Sequence, residues 1–218
     1  MGILDWFRLR PGLRISCWLD EGSRLRGLTR AVADDLRKGE RVLLVGHFKS
    51  SLIQAGQQLA AAGITFETKA SWSNADTERL TAGGPGTVIA TLVRCLPKPA
   101  EGAQKVPAAS GAPAVSVRLC DLHVLDDENQ RVVRFATGLP ARVSIAASAS
   151  FDDPMMGAFA GPWLKSMMAN MGLKEDAPID DPLVSRGLQK AMRKLAKRAN
   201  GNIECDSLAE WMERCLTR

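Results

Sequence analysis

What these 218 residues lack narrows the field first. No G-x-x-x-x-G-K-[ST] occurs, so no P-loop wraps phosphates in backbone N–H groups and sets a lysine on them. No stretch approaches the roughly 20 consecutive apolar residues of a membrane-spanning helix. The opening residues, MGILDWFRLRPG, hold no apolar core of signal-peptide length, because Asp5, Arg8 and Arg10 interrupt it. The five cysteines, at 17, 95, 120, 205 and 215, are scattered, odd in number and in no metal-ligand spacing. That usage fits reduced thiols in a cytoplasm. Histidine is limited to His47 and His123, and the formal charge is a mild +5. Attraction to acidic partners must therefore come from local clustering.

What is present alternates between two periods. Leu25, Leu28, Ala31, Val32 and Leu36 recur at helical spacing, ending at Lys38-Gly39. RVLLVG (41–46) is a short apolar run suited to a buried parallel strand. Ser50 or Ser51 can cap a helix carrying Leu52, Ile53, Leu59 and Ala60 inward, closed by Gly63. ITFETK (64–69) is the next strand, residues 74–81 a short helix and GTVIAT (86–91) another strand. These strand–helix–strand units predict an α/β fold, a parallel sheet flanked by helices. Residues 97–114, rich in Pro, Ala and Gly, read as a flexible loop. VSVRLC, LHVL and VSIAASA (143–149) continue the sheet, with residues 128–138 fitting either strand or helix. From 151 the texture turns helical. Met155, Met156, Phe159, Trp163, Leu164, Met167, Met168 and Met171 form an apolar stripe. Leu183, Val184, Leu188, Ala191, Met192, Leu195 and Ala196 line a second helix, and Ser207–Leu216 a third. The division is thus 1–150 for the α/β domain and 151–218 for a helical extension.

Candidate chemistry is sparse. GGPGT (83–87) has glycines but no lysine and precedes a strand, so it reads as a turn. His47 and His123 end strand-like runs; either could act as a general base, or fill an ordinary structural place. Asp126-Asp127 and Asp152-Asp153 could hold a metal, but no further oxygen ligands follow at loop spacing, which favours turn or cap roles. No catalytic or metal residue is assigned. Arg186, Lys190, Arg193, Lys194 and Lys197 make a basic face, either solvated or partner-binding, without the interleaved aromatics that would favour nucleic acid.

Residues 150–199 carry a resemblance. SFDDPMM, MMANMGL and LVSRGLQKAMRKL stand in order where the SecA preprotein-translocase motor family shows S-L-E-D-x-L-M, L-M-x-x-L-G-M and M-V-S-R-A-x-x-x-A-Q-x-x-V. Upstream, LRKGERVLLVGHFKSS resembles the family's K-G-Q-P-V-L-V-G-T entry. GGPGTVIAT resembles its G-x-P-G-x-V-T-I-A-T strand and DLHVL its G-G-L-H-V-I strand. The resemblance spans about residues 20 to 200. It implies a RecA-like second nucleotide-binding domain, followed by the start of a helical scaffold.

The departures matter equally. The family continues N-M-A-G-R-G-T-D after the sensor strand, whereas this chain reads LVRCLPKP. Its arginine motif, Q-L-R-G-R-x-G-R, falls near FATGLPAR (135–142), where only Gly138 and Arg142 match. The resemblance therefore implies a degenerate module without ATPase activity of its own. Gly46, His47, Thr91, Gly138 and Arg142 are its residual nucleotide-face candidates, and ATP is expected only if a separate domain or chain supplies the P-loop. The implied partner is protein: a SecA-type motor, the translocation channel or a client polypeptide. The implied location is cytoplasmic, with peripheral contact at the inner face of the membrane. An enzyme of unrelated chemistry and a nucleic-acid-binding helicase-like fragment stand as alternatives.

Overall fold

A computed structural model of the chain describes residues 12–82, 86–97, 112–158, 177–179 and 182–217. Six strands lie in one sheet: β1 (Leu13–Trp18), β2 (Arg41–Gly46), β3 (Glu67–Lys69), β4 (Val88–Leu92), β5 (Ala114–Leu119) and β6 (Arg142–Ser150). Their order is β1-β6-β5-β2-β4-β3, and every pairing is parallel. The expected α/β sheet flanked by helices is what forms. β2 explains why RVLLVG is unbroken: all six of its residues are buried, because helices cover both faces. Val42 and Leu44 pack with Leu28, Val32 and Leu59, from α1 (Glu21–Arg37) and α2 (Lys49–Ala61). Leu43 and Val45 pack on the opposite face with Leu80, Val132, Leu188 and Trp211. Those four come from α3 (Asn74–Thr81), α4 (Asp126–Thr137), α5 (Pro182–Ala196) and α6 (Leu208–Cys215). The last two helices thus share the sheet's core rather than trailing from it.

Local chemistry sets the boundaries. Asp20 caps α1 by accepting from the Ser23 N–H at 2.8 Å, and Gly39, at φ 76°, turns the chain out into β2. Residues 128–138, open between strand and helix, are helical. The acidic first turn of α4, Asp126, Asp127 and Glu128, suits the positive helix end, and Val132, Val133, Phe135 and Ala136 are buried.

Several expectations need correction. Ser50 and Ser51 lie inside α2, whose N-cap is Phe48, and Ile53 and Ala60, placed inward, are exposed. ITFETK pairs only over Glu67–Lys69, because its neighbour β4 offers just Ile89–Thr91 as partners. LHVL is not a strand: β5 ends at Leu119, and residues 120–125 form a buried, irregular connection to α4. The loop placed at 97–114 ends a residue early, since Ala114 begins β5. The rest of that loop and the methionine stripe beyond Met156 lie outside the described residues. Met155 and Met156 are themselves fully buried.

The two edges of the sheet are β1 and β3. Ile179 bridges antiparallel to Cys17, its N–H donating to the Cys17 carbonyl at 2.7 Å on the outer side of β1. At the other edge β3 is three residues long, with Glu67 and Lys69 in ion pairs with Arg79 and Asp76. No helix among the described residues is long and apolar enough to cross a membrane.

Candidate functional site

In an open parallel sheet, ligands settle outside the carboxyl ends of the strands, where loops lead into helix N-termini rich in unpaired N–H groups. Here that position is β2–Gly46–His47–Phe48–α2, and the chain fills it from within. Asp121, just past the end of β5, accepts from the His47 N–H at 2.8 Å and the Phe48 N–H at 3.2 Å. The Ser51 hydroxyl also hydrogen-bonds this carboxylate. The Asp206 carbonyl accepts from the Ser50 N–H at 2.9 Å. Phe48, the N-cap residue, has no capping side chain, so Asp121 supplies what the local sequence omits. Burial pushes the Asp121 carboxyl above its ordinary range, opposed by the His47 and Phe48 N–H groups and Arg24.

Beside this cap lies a cleft of about 220 Å³, walled by Phe48, His123 and Trp211. Trp211 is fully buried, meets the His123 ring edge-on at 4.8 Å and donates from Nε1 to the Asn202 carboxamide at 2.9 Å. Asn202 donates in turn to Glu128, and Glu204 pairs with Arg94, so residues 200–206 run across the carboxyl edge as a strap. Asn129 clamps the bend beneath: its Oδ1 accepts from the His123 N–H at 3.0 Å and its Nδ2 donates to the His123 carbonyl at 2.8 Å. His123 Nδ1 accepts from the Leu125 N–H at 3.0 Å, which puts the ring proton on Nε2. Burial holds His47 down to about 3, and burial with the neighbouring His47 does the same to His123. Imidazoles so weakly basic are poor general bases at neutral pH.

A second cleft, about 200 Å³, opens where α1 begins. Arg24, 2% exposed, is held by Glu21, its Nε donating at 2.8 Å, with Asp121 and Asp153 close enough to act on its charge. Burial raises the Asp153 carboxyl to about 6 against the pull of Arg24. Both members of the 152–153 pair bind backbone. Asp152 accepts from the Glu21 N–H at 3.0 Å and Asp153 from the Ser150 N–H at 2.8 Å. These are cap and turn roles. No group of three metal-ligating side chains gathers among the described residues.

The candidate nucleotide-face residues divide. Gly46, His47 and Thr91 meet at the carboxyl edge, with Thr91 opposite Val45 and its hydroxyl donating to the Lys69 carbonyl at 2.9 Å. Gly138 ends α4 and Arg142 starts β6, and both lie at the other edge. β5 finishes opposite Ala147, five residues and about 16 Å of strand away from Arg142. Arg142 Nε instead donates to the Ala112 carbonyl at 3.1 Å. Arg186, Lys190, Arg193 and Lys194 on α5 and Lys197 just past its end are all exposed, opposite buried Val184, Leu188, Ala191, Met192 and Leu195. None has an acidic ion-pair partner among the described residues. Sequence reasoning missed Asp121, Asn129, Arg131, Arg24 and Trp211. The adjacency of Asp121 and His123 to the end of an apolar run was the one available signal.

Comparison with known proteins returns partial matches. The chain is 30% identical over 105 residues to the protein translocase subunit SecA of Symbiobacterium thermophilum, covering 46% of this chain and 11% of that protein. A 46-residue stretch is 48% identical to SecA of Stenotrophomonas maltophilia, covering 21% and 5%. An 81-residue stretch is 36% identical to SecA of Xanthomonas campestris pv. campestris, covering 34% and 9%. The chain thus spans about a tenth or less of the curated relatives it matches. Segments of it are SecA-like; no protein-family model matches it. Among solved structures, it is similar to the C-terminal part of the Fun30 ATPase domain, at a TM-score of 0.42 and 14% identity over 82% of this chain and 55% of that one. The C-terminal domain of a possible DNA helicase from Lactobacillus plantarum gives a TM-score of 0.37 at 14% identity, covering 64% and 73%.

Proposed function

We propose that this chain is a RecA-like module akin to the second nucleotide-binding domain of SecA, that it hydrolyses no ATP itself, and that it acts by binding a protein partner in translocation on the cytoplasmic side. One observation carries the loss of nucleotide chemistry. The α2 N-terminus, where an anionic ligand would seat, is already occupied by the Asp121 carboxylate and the Asp206 carbonyl. A phosphate arriving there would meet the Asp121 carboxylate, with the His47, Phe48 and Ser50 N–H groups already bonded, and like charges repel. The degenerate sensor segment LVRCLPKP and the absence of a P-loop motif from the sequence agree with that reading.

The partner surface follows from α5. Arg186, Lys190 and Arg193 recur at helical spacing on its exposed side, with Lys197 just past its end, which suits an acidic patch on a motor, a channel loop or a client polypeptide. Calorimetric titration with MgATP, with phosphate release measured beside it, tests the first half. We expect no turnover and a Kd no tighter than about 1 mM; micromolar binding overturns the proposal. Retention of the purified chain on immobilised SecA and channel components tests the second half. Capture should weaken as salt rises past the point where exposed charges are screened.

A further inference from the structure

The 200–206 strap opens on Asn200-Gly201, and both residues are exposed in irregular backbone. Behind them the chain is anchored. The Asn200 N–H donates to the Cys215 carbonyl at 2.9 Å, and Ala199 bridges antiparallel to Leu216. Ahead of them it is anchored again, by Asn202 on Trp211 and Glu128 and by Glu204 on Arg94. Between these anchors, the Asn200 carboxamide and the Gly201 N–H make no hydrogen bond among the described residues. A Cβ built on Gly201 would meet nothing within 4 Å, so the joint has room to turn. Such a joint is chemically unstable. The carboxamide carbon of an asparagine and the next residue's amide nitrogen close a five-membered ring, so no distant group has to be brought in. Glycine lacks the Cβ that would screen that nitrogen and restrict the rotation.

We infer that Asn200 is a site of spontaneous self-modification, at which a neutral carboxamide becomes aspartate or isoaspartate. The Gly201 amide nitrogen attacks Asn200 Cγ, and a C–N bond forms. Nδ2 departs as ammonia with the proton that the Gly201 nitrogen gives up, which leaves a succinimide. Water then adds to one of the two ring carbonyls and breaks its bond to the Gly201 nitrogen. Opening at Cγ gives aspartate in the ordinary main chain. Opening at the Asn200 backbone carbonyl gives isoaspartate, whose main chain runs through Cβ and Cγ and is longer by one carbon. Either product adds a negative charge at the head of the strap. Isoaspartate also lengthens the span between the Cys215 and Asn202 anchors. The reaction thus acts on the segment that seats the Asp206 carbonyl on the Ser50 N–H. Asn202 is the contrast. It is exposed too, but Trp211 and Glu128 hold its carboxamide, and β-branched Ile203 follows it. None of this depends on the fate of nucleotide or on the partner of α5.

Trypsin makes the test direct, because cleavage after Arg198 and Arg214 releases both asparagines in one peptide, Ala199–Arg214. The full chain is incubated in mildly alkaline buffer at physiological temperature, then digested at mildly acidic pH. Mass spectrometry follows that peptide against a sample digested at the outset. We expect the mass gain of an amide turned to acid, located at Asn200 and divided between two chromatographically separate peptides, aspartate and isoaspartate. Asn202 should convert at least tenfold more slowly. Asn200→Gln should remove the fast reaction, and Gly201→Ala should slow it at least tenfold. The folded chain should react within tenfold of the same chain in denaturing guanidinium, because the joint is exposed. No conversion at Asn200, conversion of Asn202 at an equal rate, or more than tenfold protection by folding overturns the inference. The decisive comparisons use the unaltered chain, so they stand even where a variant fails to fold.

Discussion

Asp121 stands 73 residues from the Phe48 N–H it caps, and its removal leaves two N–H groups near α2 unpaired in a buried setting. Asp121→Ala should cost about 2 kcal/mol, the sum of a lost cap and an unmet buried donor. Asp121→Asn, which keeps one acceptor oxygen, should cost less; urea midpoints at pH 7 decide. The same neighbourhood sets an acid response. In the unfolded chain His47 and His123 take up protons as pH falls through 6.5, whereas in the folded chain both stay neutral down to about 3. Their contribution is thus full above pH 6.5 and is lost progressively on acidification. Asp153 acts in the opposite sense. The folded carboxyl keeps its proton up to about 6 while the unfolded one releases it near 3.8, so Asp153 lowers stability as pH rises through that window. His47→Phe should therefore flatten the decline between pH 6 and 4 by about one proton, ~1.4 kcal/mol per pH unit. Asp153→Asn should steepen it by a similar amount, read as urea midpoints across a pH series.

Among elements, α1 and β1 meet more closely than any side chain but hydrogen allows. A Cβ built on Gly27 would stand 2.1 Å from Cζ2 of Trp18, which is 6% exposed and cannot swing away. Gly27→Ala should destabilise by about 2 kcal/mol through overpacking, although the same change in an ordinary helix interior gains about 1 kcal/mol. Gly56 in α2 is a contrast. Its nearest neighbour is the ring tip of half-buried Phe66 at 2.9 Å, which has room to move, so Gly56→Ala should lie near neutrality. Thermal unfolding of the two variants side by side checks the difference in size. The elements themselves were largely readable in the sequence, because RVLLVG and GTVIAT are apolar runs of strand length and α1 and α5 keep the helical period. LHVL misled for a physical reason. Its Leu122 and Val124 are buried as a strand's would be, but Asp121 and Asn129 satisfy the backbone of this bend with side chains, and period alone carries no sign of that. The cap on α2 and the Trp211 lid were equally illegible, since each joins residues more than 70 positions apart. Gly138 and Arg142 were grouped with Gly46 by resemblance, yet chain direction places them at the opposite end of the sheet.

At the scale of the whole molecule, the strap and α6 complete the core beneath the carboxyl edge. Trp163, the obvious probe of the helical extension from sequence, lies outside the described residues, and Trp211 takes its place. Trp211→Ala should cost about 3–5 kcal/mol, the range for a large buried aromatic. A single unfolding transition in the parent chain, coincident by fluorescence and circular dichroism, would place strap and sheet in one cooperative unit. The basic face of α5 should behave differently. Arg193→Gln with Lys197→Gln should change stability by less than about 0.5 kcal/mol, as for exposed sites in general, while weakening capture of an acidic partner.

The guarded sheet edges restrict how any partner can attach. Recognition by strand addition needs a length of unpaired main chain, open to an incoming extended segment. The antiparallel bridge from Ile179 engages the outer side of β1 at Cys17, and β3 offers only three residues bearing charged side chains. At the Cys17 end of β1 and along β3, strand addition by an unfolded client or by a copy of this chain is therefore disfavoured. A guest at those positions is read through side chains on the helices and the strap, which makes binding there a matter of charge and shape rather than of backbone pairing.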